Sequence, residues 1–254
     1  MCTVIVLVRP GHAWPLMLAA NRDERLDRAW DKPGEYWPEF PGVVAGRDRS
    51  GGGTWMGVNR QGVVAAVLNR QGSLGPAAGK RSRGELPLRA LAAAPTALAG
   101  AEALAGLDAA QWRSFNLVLA DRSGAIFLRG LGAGQMEWRA LEPGCHMVTA
   151  HDVDDPESPR VARHLPRFAA APAASPADWS AWREILADRS GEAGEQINVE
   201  PRGGFGTVSA CLLALPSVGP ADWLFANGPP HAADFLPVAL PAPLPTTISG
   251  EKGA

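Results

Sequence analysis

Cysteine is scarce in this 254-residue sequence, and its three cysteines lie far apart. Cys2, Cys145 and Cys211 form neither a CxxC pair nor a cysteine–histidine pattern with metal-ligand spacing. Their spacing argues against a disulfide framework or a structural zinc site and favours a reducing compartment. We therefore expect a cytoplasmic protein without a metal or other cofactor. The absence of a CxxCH motif also excludes covalent attachment of haem.

Long apolar runs and an excess of one charge are also missing. The apolar segment at residues 3–8 is short, has no basic region before it and is ended by Arg9-Pro10-Gly11. It is predicted to be a strand, and neither a signal peptide nor a membrane span. A formal net charge of -2 gives no reason to expect binding to nucleic acid or to an anionic membrane. Nothing in the composition indicates an oligomeric state.

The sequence contains one tyrosine but nine tryptophans. Most tryptophans are expected in the core, although several of them could line a pocket for a flat or fatty ligand. Residues 1–254 are long enough for one domain with a substantial core, and no internal repeat or linker divides them. The proline-rich end, residues 236–254, is predicted to be a loosely held tail.

Short apolar runs separated by turn residues predict strands. These runs cover residues 3–8, 16–20, 54–58, 63–68, 115–120, 125–131, 145–149, 209–215 and 223–226. Helical patterns fall between them, at residues 86–94, 96–107, 160–169 and 177–187, the last with Ser175-Pro176 as its cap and first turn. Strands in runs, with helices grouped between them, favour an α+β layered fold.

The second residue is the most informative one present. Methionine aminopeptidases remove Met1 when the next side chain is small, so we expect a mature chain that begins with Cys2. A thiol has a pKa near ~8.5 and a free α-amine one near ~7.7–8.0, so the amine can take the thiol proton at neutral pH. This is the chemistry of N-terminal-nucleophile hydrolases. The alternative is that Cys2 is only a small buried residue at the start of a strand.

A polar cluster, Asn21-Arg22-Asp23-Glu24, follows the second predicted strand. If the first two strands pair as a hairpin, the start of the first lies beside the end of the second, so the cluster arrives next to Cys2. Asp23 can then orient the terminal ammonium, and Asn21 can donate to the backbone or to a substrate carbonyl. The alternative is a solvated strand end whose exposed ion pairs contribute about 0–1 kcal/mol each.

Six ordered blocks carry a resemblance to a known family. They are Met-Cys at the start, Leu-Ala-Ala-Asn-Arg-Asp-Glu at 18–24, Gly-Gly-Gly-Thr-Trp-Met-Gly-Val-Asn at 51–59, Arg-Gly-Glu-Leu at 83–86, Phe-Asn-Leu-Val-Leu-Ala-Asp at 115–121 and Phe-Gly-Thr-Val-Ser at 205–209. Together they strongly resemble the NRDE family, also called the transport and Golgi organisation family. That family is similar to the N-terminal-nucleophile hydrolases of the penicillin V acylase and bile salt hydrolase type. The resemblance therefore implies a four-layer αββα sandwich.

The hydrolase resemblance also implies roles for three residues. Cys2 is the expected nucleophile, Asp23 its partner carboxylate and Asn69 an oxyanion donor, a group typically worth about 2.7–4 kcal/mol of transition-state stabilisation. The expected pocket residues are Asn21, Arg22, Glu24, Thr54, Trp55, Arg83 and His151. Two of these have simpler alternatives, since Arg83 stands at a predicted helix start and His151 in a polar His-Asp pair that suits a surface turn.

Three positions depart from the patterns of the related proteins. Ala20 stands where the acylases have arginine, and Ala150 where a second asparagine is expected. Val208 replaces the arginine of the Gly-Thr-Arg-Ser block.

The sequence and the resemblance together leave two hypotheses for the function. The first is hydrolysis of an amide or thioester by Cys2, and the second is binding of haem, acyl-CoA or lipid without turnover, since members of the family are linked to haem trafficking and to lipid or acyl-CoA metabolism.

Overall fold

A computed structural model describes residues 2–171 and 175–241 of the chain. The strands are β1 Thr3–Val8, β2 Leu16–Arg25, β3 Trp30–Gly34, β4 Val44–Asp48, β5 Met56–Val58, β6 Val64–Asn69, β7 Phe115–Asp121, β8 Gly124–Gly130, β9 Glu137–Ala140, β10 Gly144–Val148, β11 Phe205–Leu215, β12 Asp222–Ala226 and β13 Phe235–Pro237. The helices are α1 Glu85–Ala93, α2 Ala97–Ala105, α3 Pro159–Ala170 and α4 Ser180–Leu186.

Within the described residues the strands form two antiparallel sheets. The first has six strands in the order β10-β1-β2-β11-β12-β13, and the second has seven, β3 to β9 in chain order. The second sheet is therefore a meander of strands that follow one another along the chain. The first sheet instead joins strands from both ends of the chain, because β2 pairs with β11 along almost its whole length.

Alternation along the strands produces two apolar faces on each sheet. Val6 of β1 and Leu18 of β2 face the second sheet, where they meet the inner side chains of β6 and β7. On the outer face of the first sheet, Ile5 and Met17 pack with α3 and α4. The outer face of the second sheet carries Leu117, which packs with α1 and α2. The four layers follow the order αββα, so the predicted fold is confirmed.

The first two strands pair as the predicted hairpin, with Thr3 opposite Asn21. The polar cluster was predicted to follow the second strand, and this prediction was wrong. It lies inside β2, because pairing with β11 continues to Arg25 and satisfies the backbone of these polar residues. The strands β3, β4, β9 and β13 were not predicted.

The prediction for α4 was wrong at its start. Ser175 and Pro176 lie in a turn closed by hydrogen bonds between Ser175 and Asp178, and the helix begins only at Ser180. The predicted tail is also shorter than expected. Residues Phe235–Pro237 pair with β12, and Val238 and Leu240 pack against the core between the sheets. Residues 242–254 of that prediction lie outside the described residues.

None of the helices in the described parts of the chain combines the length and the apolar character needed to cross a membrane, α3 having only 12 residues.

Candidate functional site

The hairpin brings Cys2 to the end of β2 that carries the polar cluster. The Cys2 thiol donates a hydrogen bond to the backbone carbonyl of Asp23, with Sγ 3.5 Å from the oxygen. Side chains alternate along β2, so Arg22 faces the second sheet while Asn21 and Asp23 face α3 and α4. The thiol and the Asp23 carboxylate therefore lie on opposite faces of the first sheet.

The Asp23 carboxylate is buried and held by two side chains. The Thr207 hydroxyl donates to Oδ1 at 2.6 Å, and Arg160 of α3 donates to Oδ2 at 3.1 Å. The same Arg160 nitrogen donates to the Thr3 hydroxyl at 3.0 Å. The carboxylate is thus fixed by groups from three separate parts of the chain. Such a buried ion pair is stabilising only when both charges stay paired.

A bulge in β11 places Thr207 at this position. The register between β11 and β2 shifts between Thr207 and Ser209, so that Thr207 lies opposite Asp23 and Ser209 opposite Arg22. Val208, which replaces the expected arginine, is the extra residue of this bulge. A bulge redirects the side chains beside it, and here it brings the Thr207 hydroxyl to the carboxylate.

A cavity between the two sheets opens at the Cys2 side chain. It encloses about 350 Å³ of empty space, its solvent-open mouth included. Its walls are mainly apolar and are formed by Cys2, Thr3, Val4, Ala20, Asn21, Arg22, Trp55, Met56, Ala66, Val67, Leu68, Ser209, Ala210, Cys211 and Phe225. Ligand pockets usually combine apolar walls with a few polar groups. The wall of this cavity has the same mixed composition.

Arg22 is the one charged residue in the cavity wall, among the residues that the structure describes. Its guanidinium stacks on Trp55, with Cζ 4.1 Å from the ring centroid, and lies 5.5 Å from the ring of Trp30. Nη2 lies 3.7 Å from the Glu24 carboxylate, and Nη1 is buried without a hydrogen-bond partner in the described part of the chain. Burial lowers the pKa of Arg22, whereas Cys2 and the nearby carboxylates raise it.

All three thiols titrate above their ordinary range. Burial raises the pKa of Cys2, the Asp23 carboxylate raises it further, and the nearby Arg22 charge opposes both. Burial raises the pKa of Cys145 and of Cys211 to about 12. The raised pKa of Cys2 favours the neutral thiol over the thiolate at pH 7.

The other residues of the polar cluster and Thr54 are engaged within the fold. The Asn21 amide donates to the carbonyls of Leu186 and Ile197, both at 2.9 Å, so its donors are used by the backbone. Glu24 lies between two arginines at the edge of the site. The Thr54 hydroxyl is buried and donates to the Met56 carbonyl at 3.0 Å. Neither Glu24 nor Thr54 is part of the cavity wall, whereas Trp55 is.

Three further predicted residues lie outside the cavity wall. Arg83 stands at the start of α1 and donates to the backbone of Ser73 and Ser114, and burial lowers its pKa to about 10. His151 contacts Asp155 at 3.4 Å in a turn. Asn69 ends β6 next to Leu68, which does line the cavity, and strand alternation turns its side chain towards the opposite face of the sheet.

The two alanine substitutions have different surroundings. Ala20 forms part of the cavity wall beside Cys2. Ala150 lies beyond β10, where its carbonyl accepts a hydrogen bond from the Gln71 backbone at 3.1 Å.

Three residues near the site were not predicted from the sequence, namely Trp30, Arg160 and Thr207. The only available signals were the Ser158-Pro159 helix start before Arg160 and the family block that contains Thr207.

In the described residues, no group of three or more histidine, cysteine, aspartate or glutamate side chains is arranged to hold a metal ion.

The family model described as Transport and Golgi organisation 2 matches residues 1–193. The chain belongs to this family. Two curated members are the Transport and Golgi organization protein 2 homologs of Bos taurus, 31% identical over 158 residues, and of Homo sapiens, 34% identical over 133 residues. These matches cover 58% and 49% of this chain and 55% and 47% of the relatives. The chain thus spans about half the length of the curated relatives it matches.

A solved structure with the same fold is the Caenorhabditis elegans ortholog of N-acylethanolamine-hydrolyzing acid amidase. It is 13% identical, the match covers 85% of this chain and 94% of that one, and the TM-score is 0.56. At this identity the likeness shows the fold alone. The chain therefore shares its fold with this amidase structure.

Proposed function

We propose that this protein is a hydrolase whose nucleophile is the Cys2 thiol, exposed at the mature N-terminus after removal of Met1, and that it cleaves a small acyl amide or acyl thioester. The observation that carries the proposal is the placement of two groups at one strand end. The Cys2 thiol lines a mainly apolar cavity, and Arg160 and Thr207 hold the Asp23 carboxylate on the other face of the same sheet. A reducing, cytoplasmic location belongs to the proposal, because the thiol must remain unoxidised.

The proposed reaction starts from the neutral thiol. The free α-amine of Cys2 takes the thiol proton while sulfur attacks the carbonyl carbon, and Asp23 orients the resulting ammonium. The C–N or C–S bond then breaks, and the leaving group takes the proton from the ammonium. Water hydrolyses the acyl-cysteine intermediate, which releases a carboxylic acid and restores the thiol. The raised pKa of Cys2 supports this order of events, because a preformed thiolate would not need the amine.

The oxyanion of the intermediate is proposed to accept from Asn69 and from a backbone N–H. Asn69 is the last residue of β6 and follows Leu68 of the cavity wall. Asn69→Ala is expected to lower kcat by about 10²–10³-fold, the usual loss for one donor. A loss of less than tenfold would assign the oxyanion to the backbone alone.

The test is a turnover assay with matched variants. Wild type, Cys2→Ala and Cys145→Ala are incubated with a panel of N-acyl amides and acyl-CoA thioesters of increasing chain length, and released amine or thiol is measured. We expect release from at least one compound by wild type and Cys145→Ala, with loss of at least about 10³-fold in Cys2→Ala, the typical scale for a catalytic nucleophile. Equal rates in wild type and Cys2→Ala would disprove the proposal.

The second candidate is a protein that binds haem, acyl-CoA or lipid without turnover. It is favoured by the mainly apolar cavity wall and by Ala20, which leaves no side-chain donor at a position beside the thiol. In that case the panel gives no product, and haemin or acyl-CoA binds equally well to wild type and Cys2→Ala.

A further inference from the structure

Arg22 lines the cavity and keeps one hydrogen-bond donor without a partner in the described residues. Its side chain is 6% exposed, and Nη1 has no partner in the described residues. A buried charged donor without a partner is costly, so such groups are normally paired. The nearest carboxylates are committed elsewhere, since Glu24 also contacts Arg28 at 3.6 Å and Asp48 binds Arg28 at 2.6 Å.

The guanidinium is held rigidly in this position. Trp55 and Trp30 lie edge to face, with ring centroids 5.6 Å apart, and both contact Arg22. Trp30 also contacts Phe225, another residue of the cavity wall, at a centroid distance of 6.1 Å. Stacking on aromatic rings fixes the plane of a guanidinium without using its hydrogen-bond donors. The cavity thus contains an oriented cation beside mainly apolar walls.

We propose that the ligand of this cavity is a short acyl compound with a carboxylate group, and that the carboxylate binds the guanidinium of Arg22. The proposal deepens the proposed function and rests on it for the cavity as the ligand site. Charged donors and carboxylates form strong hydrogen bonds, and mainly apolar surroundings strengthen them. The apolar part of the ligand lies along Val4, Ala66 and Phe225. A carboxylate is also what hydrolysis of an amide or thioester at Cys2 would release.

The test is equilibrium binding of three probes with the same six-carbon chain. Hexanoate, hexanamide and hexyl phosphate are titrated at pH 7 into wild type and into Cys2→Ala, which removes turnover, and the tryptophan indole N–H signals are followed by NMR. We expect hexanoate to bind at least about tenfold more tightly than hexanamide in both proteins, as one charge-assisted hydrogen bond provides. The indole signals of Trp30 and Trp55 should shift most.

Two variants assign the preference to the guanidinium. Arg22→Met keeps an unbranched apolar side chain against the indoles and should abolish the preference, whereas Arg22→Lys should keep part of it. Arg81→Met is the matched control, because Arg81 also lies over a tryptophan ring, that of Trp112, outside the cavity wall. This control should keep the full preference. If Arg22→Met does not fold, the wild-type titration and Arg22→Lys decide the question.

Four results would overturn the proposal. They are no binding of hexanoate, equal binding of hexanoate and hexanamide, an unchanged preference in Arg22→Met, and tighter binding of hexyl phosphate than of hexanoate, which would assign a phosphate ligand instead. Failure of hydrolysis with intact carboxylate preference would disprove only the proposed function. Hydrolysis without that preference would disprove only the role of Arg22.

Discussion

At the scale of single residues, the two faces of β2 carry different parts of the candidate site. The Asp23 carboxylate faces α3, where it binds Arg160 and Thr207, and the Asp23 backbone carbonyl accepts a hydrogen bond from the Cys2 thiol. Arg22, one residue earlier, faces the cavity with Cys2. Adjacent positions of one strand thus place Asp23 and Arg22 on opposite faces of the first sheet.

The first prediction concerns the Asp23–Arg160 pair. Asp23→Asn and Arg160→Met should each lower the free energy of unfolding by about 3 kcal/mol, because each breaks a buried ion pair. The double variant should lose clearly less than the sum of the two. Urea unfolding of the four proteins measures this coupling. Additive losses would show that the pair is not energetically linked.

At the scale of secondary structure elements, α3 connects the site to the outer layer. Arg160 lies in its first turn, after the N-cap Ser158, and reaches Asp23. One turn further along, His164 is fully buried, and its Nε2 donates to the Glu195 carbonyl at 2.8 Å while its Nδ1 accepts from Arg167 at 3.0 Å. These partners require the neutral imidazole. Burial, helped by Arg167 and Arg163, lowers the pKa of His164 to about 4.

The second prediction follows from this histidine. Its pKa is lower in the folded chain than in the unfolded one, where it is ~6.5, so the unfolded chain takes up a proton first as pH falls. Wild type should therefore lose stability through His164 between about pH 6.5 and pH 4. In His164→Gln this loss should be smaller by about 2 kcal/mol between pH 7 and pH 4.5.

Urea unfolding at several pH values checks this prediction, with His12→Gln as the control because His12 is exposed. Carboxylates whose pKa is lowered by ion pairs, such as Asp31 at about 2, contribute in the same direction in all three proteins. The difference between variants therefore isolates His164. The same pH dependence in His164→Gln and wild type would contradict the assignment.

The elements that the sequence predicted are those with strong local patterns. Alternation and a Pro/Gly turn predicted the β1–β2 hairpin, and the hairpin placed the polar cluster beside Cys2. The strand β3 escaped prediction because Trp30-Asp31-Lys32-Pro33-Gly34 has neither alternation nor apolar character. It forms through pairing with β4, and this pairing brings the Trp30 ring into contact with the Arg22 guanidinium.

The partners of Asp23 could not be predicted for a different reason. Arg160 is separated from Asp23 by 137 positions and Thr207 by 184, so no local pattern relates them. Only the packing of α3 on the first sheet and the bulge in β11 bring them together. Asn69 was selected through the resemblance alone, and its position on β6 leaves its catalytic role as a prediction.

At the scale of the whole molecule, the last described strand closes the first sheet. β13 pairs with β12, the Val238 backbone N–H donates to the Trp223 carbonyl at 2.8 Å, and Val238 and Leu240 cover the core between the sheets. The end of the described chain is therefore structural. It covers the same core into which the cavity opens.

The third prediction tests this closing strand with two truncated chains. Residues 1–234 should be less stable than residues 1–241 by about 2 kcal/mol, since the shorter chain loses a strand and two partly buried apolar side chains. Both chains lack residues 242–254, so the comparison concerns described residues only. Thermal and urea unfolding measure the difference, and equal stability would mean that β13 and the two side chains contribute nothing.

The central claim is that a mature N-terminal Cys2 is the nucleophile, and trapping of an acyl group tests it most directly. Protein made in a bacterial host is mixed with p-nitrophenyl butyrate, quenched in acid and analysed by intact mass and peptide mapping. The account predicts a chain without Met1 that carries one butyryl group on the peptide beginning with Cys2, with Cys145 and Cys211 unmodified because their pKa values are about 12. Retained Met1, or acylation of Cys145 in preference to Cys2, would contradict it.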